Sequence, residues 1–453
     1  MSTPLSILQV NTFERWGGAE TVAVNLCAAL RGQGHEVTLA VGRKASDDPH
    51  VVELPNDQQR GVWGRSIHGL ARMLGASPHS PWVDRAADPR RLMDDLSGRE
   101  PFDHPGTAKL LDLPARRPDV LHLHNLHGNY FDLRQLAQFS KQTPTFMTLH
   151  DSWLMTGHCA YTLGCERWQT GCGQCPDLSI YPELWRDATA GNRQRKQAIY
   201  RKSRLNIATP SQWLMDMVTS SILTESDLQT RVIPYGIDQS IYHPGSPQAA
   251  RDHLGLAQDH PVLLFAASGL RANRFKDYQT LRRAIERVGE CDTAKSLTLI
   301  ALGDDAPDEL VGHIKIRFVP FESDPKQVAR YFQAADLYLH AAKADNFPCV
   351  VLEALSCGTP VIATAVGGVP EQVRGMEQVG PEQATGALVP AGDDQALANA
   401  ITSVLSDRPL LKTLAENAAR DAAERFTLAR QADDYLAWYH ERLQEQPVAE
   451  AHP

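Results

Sequence analysis

The chain has 453 residues, of which 42% are hydrophobic and 22% are charged, a composition typical of a globular protein with two ordinary domains. Its net charge of −9 argues against general nucleic-acid binding, which requires a basic surface. No apolar run reaches the length of about 18 residues that a membrane-spanning helix needs. Because residues 1–10 carry neither a charged segment nor a cleavage site, we expect a cytoplasmic protein.

Short apolar runs bounded by turn residues alternate with helical patterns along the chain, which predicts parallel α/β structure. The predicted strands are residues 6–10, 37–41, 120–124, 145–149 and 205–208, then, after a break near residue 236, residues 262–267, 297–302, 316–319, 337–339 and 359–363. This restart predicts two doubly wound domains, residues 1–236 and 237–425. Ligands of such sheets bind beyond the carboxyl ends of the strands, so we expect the functional site in a cleft between the domains.

A Gly17-Gly18 turn connects the first predicted strand to a helix predicted over residues 20–31. Glycine lets the backbone approach a ligand closely, and a helix start favours phosphate or a developing anion. The turn is therefore a candidate anion site, with a plain connector as the alternative.

Residues 42–118 form a stretch longer than a simple strand-to-helix connection. Its middle part interleaves apolar and basic residues: Trp63, Ile67, Leu70, Met73 and Leu74 with Arg65, His68 and Arg72. Such a basic amphipathic helix is suited to peripheral contact with an anionic membrane. The alternative is a surface insertion that packs on its own domain.

Histidines follow two of the predicted strands. Strand alternation places His122 and His124 on one face, and His127 follows them. His150 and Asp151 end the next strand. Side chains at carboxyl strand ends are candidates for a site, and packed histidines with satisfied hydrogen bonds are the alternative.

Four of the eight cysteines are clustered with the spacing C-x5-C-x6-C-x2-C: Cys159, Cys165, Cys172 and Cys175. Four thiolates would complete a tetrahedral structural zinc site. Reduced thiols and redox chemistry are the alternatives, and a cytosolic location disfavours disulfides. The other four cysteines are scattered in apolar contexts and are interpreted as core residues: Cys27, Cys291, Cys349 and Cys357.

Residues 344–370 place two carboxylates, Asp345 and Glu353, on either side of a predicted helix start. Phe347-Pro348 opens the apolar run, which predicts Pro348 in the first helical turn. The N–H groups of that turn offer a positive dipole end to an anion. A phosphate site between two carboxylates suits a nucleotide diphosphate-sugar. The alternative is a buried helix with two capping carboxylates.

This segment resembles the acid-x7-acid signature E-G-F-P-x4-E-A-x-A-x-G-x-P-V-V-A of the retaining family 4 glycosyltransferases of GT-B fold. The likeness continues through Gly358, Pro360 and the Gly367-Gly368 turn, but Asp345 and Asn346 replace the usual Glu-Gly. The block from His150 to Pro176, with its four cysteines, resembles bacterial exopolysaccharide glycosyltransferases of the colanic-acid type.

The resemblance implies two Rossmann-like domains that face each other across a cleft. It also implies a last helix, residues 426–453, that crosses back onto the first domain. Tyr435, Trp438 and Tyr439 lie in that helix, and packing on the second domain is the alternative. The last eight residues resemble a frayed end.

The resemblance also assigns roles to residues of the second domain. It implies that Glu353 holds the donor ribose and that Asp345 contacts hydroxyls of the transferred sugar. Backbone groups of the turn would bind the diphosphate: Phe347, Pro348, Cys349 and Val350. Arg271 and Lys276, five residues apart, would contact the pyrophosphate and stabilise it as it departs. Asp277 replaces the usual glycine after that lysine.

In the first domain the resemblance places His150 beside the transferred sugar and the leaving phosphate. It places Gly17 and Gly18 against the donor diphosphate or the acceptor. No metal or other cofactor is implied for the chemistry, only a nucleotide diphosphate-sugar donor.

The implied reaction is transfer of a hexose to a lipid-linked oligosaccharide at the inner face of the cell membrane. Two alternatives stay open. One is a nucleotide-sugar epimerase of the same fold, and the other is a catalytically silent scaffold subunit of polysaccharide assembly.

Overall fold

A computed structural model describes residues 3–15, 17–75, 81–290 and 297–445. Trp16, Cys291 and the C-terminal residues 446–453 lie outside this part of the chain. The described residues divide into two units. Unit 1 comprises residues 1–210, 214–233 and 432–453, and unit 2 comprises residues 211–213 and 234–431.

Unit 1 contains a seven-stranded parallel sheet with the strand order β3-β2-β1-β4-β5-β6-β7. The strands are β1 (Ser6–Phe13), β2 (Glu36–Arg43), β3 (Val51–Glu53), β4 (Val120–Leu123), β5 (Thr145–Thr148), β6 (Arg204–Thr209) and β7 (Asp227–Val232). Strands β4 and β5 are buried along their whole length, as expected for the centre of a parallel sheet covered on both faces.

The helices of the N-terminal half are α1 (Gly18–Gly32), α2 (Asn56–Gln59), α3 (Val62–Met73), α4 (Pro81–Ala87), α5 (Pro89–Ser97), α6 (Leu136–Gln142), α7 (Arg167–Thr170), α8 (Thr189–Tyr200) and α9 (Gln212–Thr219). Short 3-10 helices span Pro105–Asp112, Leu133–Gln135, Trp153–Met155 and Ile222–Glu225. The predicted long connection between β2 and β4 therefore contains β3, helices α2 to α5 and one 3-10 helix.

Unit 2 contains a second seven-stranded sheet, with the order β10-β11-β9-β8-β12-β13-β14. All of its pairs are parallel except β10 with β11. The strands are β8 (Val262–Ala266), β9 (Thr298–Leu302), β10 (Glu309–Val311), β11 (Ile314–Val319), β12 (Leu337–His340), β13 (Val361–Thr364) and β14 (Gly386–Val389).

The helices of unit 2 are α10 (Pro247–Leu254), α11 (Tyr278–Gly289), α12 (Pro325–Ala334), α13 (Cys349–Ser356), α14 (Val369–Gln372), α15 (Met376–Val379), α16 (Asp394–Ser406) and α17 (Arg408–Arg425). Asp277 caps α11, since its carboxylate accepts the Thr280 N–H at 3.2 Å and the Thr280 hydroxyl at 2.8 Å. The residue that departs from the resembled family's glycine thus begins this helix.

The last helix is α18 (Leu428–Gln444), and from Ala432 onward it belongs to unit 1. Tyr435, Trp438 and Tyr439 are fully buried in the unit 1 core, where the Trp438 and Tyr439 rings pack edge-on against Phe146. In the described residues, no helix is both long and apolar enough to span a bilayer.

Candidate active site

In unit 2, three ionisable side chains meet at the carboxyl end of β12. Lys276 Nζ donates to Asp345 Oδ2 at 2.5 Å, and His340 Nε2 lies 3.2 Å from the same oxygen and 3.4 Å from Lys276 Nζ. His340 ends β12, and the Tyr338 hydroxyl lies 3.2 Å from the other nitrogen of its ring. We call Lys276, Asp345 and His340 the charged cluster.

A glycine turn holds the loop that carries Asp345. Gly368 N–H donates to the Asn346 carbonyl at 2.9 Å. Gly367 has a left-handed φ of +53°, and a Cβ at this position would lie 1.8 Å from the Asp345 carbonyl oxygen. Only glycine fits there, so the Gly-Gly pair of the signature fixes the backbone from which the Asp345 carboxylate reaches Lys276.

The charged cluster keeps its charges at neutral pH. Burial alone would raise the pKa of the Asp345 carboxyl, but the Lys276 ammonium and the His340 ring outweigh burial and hold this pKa well below its usual range. Burial, together with the nearby Lys276, lowers the pKa of His340 to about 4. The cluster is therefore a carboxylate and an ammonium beside a neutral imidazole.

The second carboxylate of the signature has a different environment. Glu353 lies in the second turn of α13, is only 9% exposed, and has a pKa that burial raises to about 7. Pro348 is the residue before the helix, with φ −64° and ψ 126°, and α13 begins at Cys349. The prediction that Pro348 lies within the first turn is therefore wrong by one position: its extended backbone makes it the cap, and its carbonyl accepts from Gln372 Nε2 at 3.0 Å.

The remaining residues of this turn are anchored by aromatic packing. The Phe347 ring contacts Tyr235 and Phe426 edge-on, with centroids 5.5 and 6.2 Å apart. Cys349 and Val350, which are both half-buried, form the first turn of α13.

Arg271 is engaged by a partner of its own. Its guanidinium donates to Asp304 at 3.1 Å and lies over the Phe318 ring at 5.2 Å from the centroid. The side chain is 44% exposed. The structure thus pairs Lys276 with Asp345, and Arg271 with Asp304.

In unit 1, three histidine rings stack where β4 and β5 end. His122 and His124 lie 4.5 Å apart between centroids, and His124 and His150 lie 5.2 Å apart. His124 Nδ1 is 2.9 Å from His150 Nε2, and its Nε2 is 2.9 Å from Gln9 Oε1. Burial, and then the neighbouring imidazole, keep the pKa values of His124 and His150 well below the ordinary range.

His122 belongs to the core rather than to an open site. Its ring is bonded to the Thr148 hydroxyl at 2.7 Å and to the Tyr439 hydroxyl at 2.6 Å. Burial, with a contribution from His150, lowers the pKa of His122 to about 3. Of the first two histidines, His124 is therefore the one connected to His150.

A second polar group lies beside the start of α1. Asp151 accepts from His127 Nε2 at 2.7 Å and from Trp153 N–H at 2.8 Å, and His127 Nδ1 is 3.2 Å from the Tyr181 hydroxyl. Asp151 thus orients His127.

Gly17 is the cap of α1, with an extended backbone, and Gly18 is the first helical residue. Glu20 is 7% exposed, and burial raises its pKa, although hydrogen bonds from the Glu20 and Gly17 N–H groups and the nearby His127 oppose that rise. The Glu20 carboxyl group therefore already accepts a hydrogen bond from the Gly17 N–H, which an anion bound at this turn would have to share.

His127 and Trp153 line part of a cavity of about 330 Å³ within unit 1. Its wall combines aromatic rings with planar polar side chains, among them Phe13, Arg43, Asn129, Tyr130, Glu183 and Trp185. Flat apolar faces beside donors and acceptors suit a polyhydroxylated ligand, and the volume is that of a small-molecule pocket.

Family comparisons agree with this architecture. The family model described as Glycosyltransferase Family 4 matches residues 16–241, and that described as Glycosyl transferases group 1 matches residues 257–421. The chain belongs to glycosyltransferase family 4. Each half of this family member thus carries one of the two sheets and one of the two strand-end groups.

Two curated relatives show how far the similarity extends. WcaC of Escherichia coli strain K12, assigned as a colanic acid biosynthesis glycosyl transferase, is 30% identical over 260 residues, which cover 54% of this chain and 60% of WcaC. A D-inositol 3-phosphate glycosyltransferase of Stackebrandtia nassauensis is 32% identical over 232 residues, covering 48% of this chain and 50% of that protein. The matched part of the chain thus spans little more than half the length of these relatives.

Solved structures show the fold. Anabaena Alr3699/HepE, crystallised with UDP and glucose, superimposes with a TM-score of 0.62 at 18% identity, over 96% of this chain and all of that one. Together with the two doubly wound sheets, this places the chain in the GT-B fold.

Sequence reasoning did not single out three residues of this family member's candidate site: His340, Glu20 and Gln9. His340 and Gln9 are polar residues in otherwise apolar strands, and Glu20 is an acid in the first turn of an apolar helix. A polar residue in a buried run is the signal that could have found them.

The four clustered cysteines lie in unit 1, where they line a small cavity together with His158. None of the cysteines that the structure describes is in a disulfide. Over the described ranges, no three His, Cys, Asp or Glu side chains are already arranged to hold a metal ion.

Proposed function

We propose that this protein is a retaining hexosyltransferase of bacterial exopolysaccharide biosynthesis. It transfers a hexose from a nucleotide diphosphate-sugar to a hydroxyl group of a growing, lipid-linked oligosaccharide. The observation that carries the proposal is the charged cluster: an ammonium, held at 2.5 Å by the first acid of the signature, beside the helix that bears the second acid. The name of WcaC supports the pathway, and the family supports the reaction class.

In this proposal Lys276 binds the diphosphate of the donor and Glu353 binds its ribose. Asp345 and His340 position the Lys276 ammonium before the donor arrives, and the diphosphate then accepts from that ammonium. The N–H groups at the start of α13 donate hydrogen bonds to the phosphate oxygens. Glu353, in the second turn, accepts from the ribose hydroxyls, and Asp345 turns to hydroxyls of the sugar.

Charge neutralisation makes the transfer independent of a metal ion in this proposal. As the bond from the anomeric carbon to the phosphate oxygen breaks, negative charge grows on the leaving diphosphate, and the Lys276 and Arg271 cations stabilise it. The acceptor oxygen bonds to the same face of the anomeric carbon, and its proton passes to the leaving phosphate. No protein nucleophile is required.

The polar cavity of unit 1 takes the acceptor. His127, held by Asp151 and Tyr181, and the aromatic wall bind sugar rings. His150, whose ring is held neutral, contacts the transferred sugar without bringing a second cation. This arrangement gives the donor diphosphate its cationic contacts in unit 2. The acceptor is left to the cavity of unit 1, whose wall also carries charged side chains such as Arg43 and Glu183.

Helix α3 supports the lipid-linked acceptor and a peripheral membrane position on the cytoplasmic side. Its buried face consists of small or polar residues, namely Gly64, His68 and Ala71. Its apolar side chains are exposed: Val62, Trp63, Leu70, Met73 and Leu74. At 3.6 residues per turn these five positions share about one third of the circumference, and Arg65 and Arg72 border this face on one side, as in helices that lie in a membrane interface.

The reaction is tested with purified protein and nucleotide sugars. We expect one family among UDP-hexoses, GDP-mannose and GDP-fucose to raise the melting temperature, and that donor to label a chloroform-extractable acceptor in membrane fractions. Retention is checked by the anomeric configuration of the product. A donor that binds but is converted to an epimer without any acceptor, or is never turned over, contradicts the proposal.

The membrane position is tested by flotation with anionic vesicles. We expect the wild type to float and the pair Leu70→Glu/Met73→Glu to lose most of this binding, because two charges enter the apolar face. The matched control is Leu310→Glu/Phe321→Glu, which adds the same charges at exposed apolar residues of unit 2. Equal flotation of both variants, or none by the wild type, removes the membrane contact.

A further inference from the structure

The cysteine-rich loop between β5 and α8 has little regular structure to hold it. Between the 3-10 helix Trp153–Met155 and α8 it contains only the four-residue helix α7. Within it, Cys159, Cys165, Cys172 and Cys175 line one cavity of about 20 Å³. That volume has room for a single ion or water, and for no larger ligand.

The backbone of this loop is held in an unfavourable conformation. Cys172, Gly173 and Gln174 have successive left-handed φ values of 58°, 83° and 49°. Cys172 and Gln174 are non-glycine residues in a region that L side chains rarely adopt, so their surroundings must impose it. Hydrogen bonds hold the turn in this conformation: the Cys172 N–H donates to the Arg167 carbonyl at 2.7 Å and the Cys175 N–H donates to Asp187 at 2.7 Å.

Two sulfur atoms of the cluster accept backbone hydrogen bonds, although burial raises the pKa of both thiols. Gly157 N–H donates to the Cys172 sulfur and Asp177 N–H to the Cys175 sulfur. Such N–H···S bonds are the outer-shell contacts that stabilise metal-bound thiolates. Arg167 lines the cavity, which gives the site a positive charge to offset the ligands.

His158 adds a proton acceptor at the same place. Its Nδ1 lies 2.9 Å from the Pro182 carbonyl, which can only accept, so Nδ1 carries the proton of the neutral ring. Its Nε2 therefore presents a lone pair to the Cys175 Sγ at 3.3 Å. The imidazole ring therefore packs directly against one of the four sulfur atoms of the cluster.

We propose that Cys159, Cys165, Cys172 and Cys175 form a structural zinc site that closes around the ion. Four thiols bind one Zn²⁺ and release four protons to the solvent. The sulfur atoms must converge on entry of the metal, because the arrangement in the described residues is open. Four thiolates leave no ligand position for substrate, as in closed structural sites.

The site would fix one wall of the acceptor cavity. Ala160 N–H donates to the Tyr181 carbonyl at 2.8 Å, and His158 Nδ1–H donates to Pro182. Pro182 to Trp185 line the cavity of about 330 Å³. Loss of zinc should therefore raise the KM for the acceptor and leave donor binding unchanged; this consequence rests on the proposed function, whereas the zinc site itself does not.

Zinc content tests the site directly. The full chain, prepared without a polyhistidine tag and dialysed after zinc supplementation, should contain about one zinc per chain by mass spectrometry of the metal. Cys172→Ser and Cys175→Ser should lose it, and Cys27→Ala and Cys357→Ala, which change buried cysteines outside the loop, should keep it.

The wild type alone also gives an answer if the serine variants fail to fold. Chelation should lower its melting temperature and expose four additional thiols to a thiol reagent. A wild type with less than about a tenth of a zinc per chain after supplementation, with thiols either free or paired in disulfides, overturns the site. The wild type could hold one zinc per chain and yet keep the same acceptor KM after chelation removes the metal. That result would contradict the link to the cavity wall but not the zinc site itself.

Discussion

The strand-end groups of the two units are buried alike but differ in charge. In unit 1, His122, His124 and His150 face one another and stay neutral, since burial and a neighbouring imidazole both oppose protonation. In unit 2, Lys276 and Asp345 are also shielded from solvent, with side chains 11% and 13% exposed, yet the Asp345 carboxyl stays ionised because Lys276 lies beside it.

The difference shows that partners, rather than burial, decide where charge is available. A fixed ammonium suits a diphosphate, whose charge grows as it leaves. Neutral imidazoles and a polar cavity suit sugar hydroxyls, which need hydrogen bonds but no counter-charge. The experiments below separate the two groups by which substrate and which pH each affects.

The largest effect is expected in the charged cluster. Lys276→Ala should lower kcat/KM about 10³-fold, because it removes a donor from the leaving diphosphate. Arg271→Ala should cost less, because its guanidinium is already engaged by Asp304 and half-exposed. The measurement is initial rate against donor concentration, with the exposed Lys315→Ala as the control. An Arg271 variant more impaired than the Lys276 variant would reverse this order.

Asp345 needs a separate measurement because it also balances Lys276. We expect Asp345→Ala to lower both turnover and melting temperature, since it leaves an ammonium largely buried without its carboxylate. The double variant Asp345→Ala/Lys276→Ala should recover the melting temperature but not the turnover. If the melting temperature of the double variant stays as low as that of Asp345→Ala, the pair does not act as one unit.

In unit 1 a smaller effect is expected. His150→Ala should lower kcat about 10²-fold, as is usual for loss of a positioned group beside the reacting atoms. His124→Phe keeps a ring but removes the bond to His150 Nε2, so it should lower kcat by less. Donor affinity measured by thermal shift should fall only slightly in either variant, because the contacts of unit 2 with the diphosphate and the ribose are unchanged. A loss of donor affinity as large as the loss of kcat would contradict this assignment.

The strands could be predicted because they are continuous runs of Val, Ile and Leu that are buried along their length. The strands missed were short or at sheet edges, such as β3 (Val51–Glu53) and β10 (Glu309–Val311), where three residues give no pattern. The signature predicted Asp345 and Glu353 as a pair near one helix. It could not predict their opposite pKa shifts, because the shift of Asp345 depends on Lys276, 69 residues away in the chain, and that of Glu353 on how deeply the folded chain buries it.

Contacts across long sequence separations explain the other differences. Lys276 and Asp345 are 69 residues apart, and Arg271 and Asp304 are 33 apart, so no local pattern shows which acid each cation meets. Likewise, the amphipathic pattern of residues 62–74 did not show which face of α3 packs. The helix packs through Gly64 and Ala71, and its larger apolar side chains stay exposed.

The smallest effect, and the sharpest test of the contrast, is the pH dependence of donor binding. Glu353 has a pKa of about 7, whereas Asp345 titrates well below neutrality and His340 near 4. Ribose hydroxyls donate to an ionised carboxylate better than to a protonated one. Donor affinity should therefore rise about tenfold as pH increases from 6 to 8, the change in the ionised fraction that such a pKa gives.

The raised pKa of Glu353 also makes the stability of the folded chain depend on pH. Stability should fall as pH rises, whereas donor affinity should increase. Because the folded-state pKa of Glu353 lies above its unfolded value of 4.5, the folded chain binds the proton more tightly, and its contribution to stability is lost as pH rises through about 7. Glu353→Gln, which cannot ionise, should remove both pH dependences while Asp345 and Lys276 stay paired. A donor affinity that is flat between pH 6 and 8 in the wild type, or equally steep in the glutamine variant, would exclude Glu353 as the group that holds the ribose.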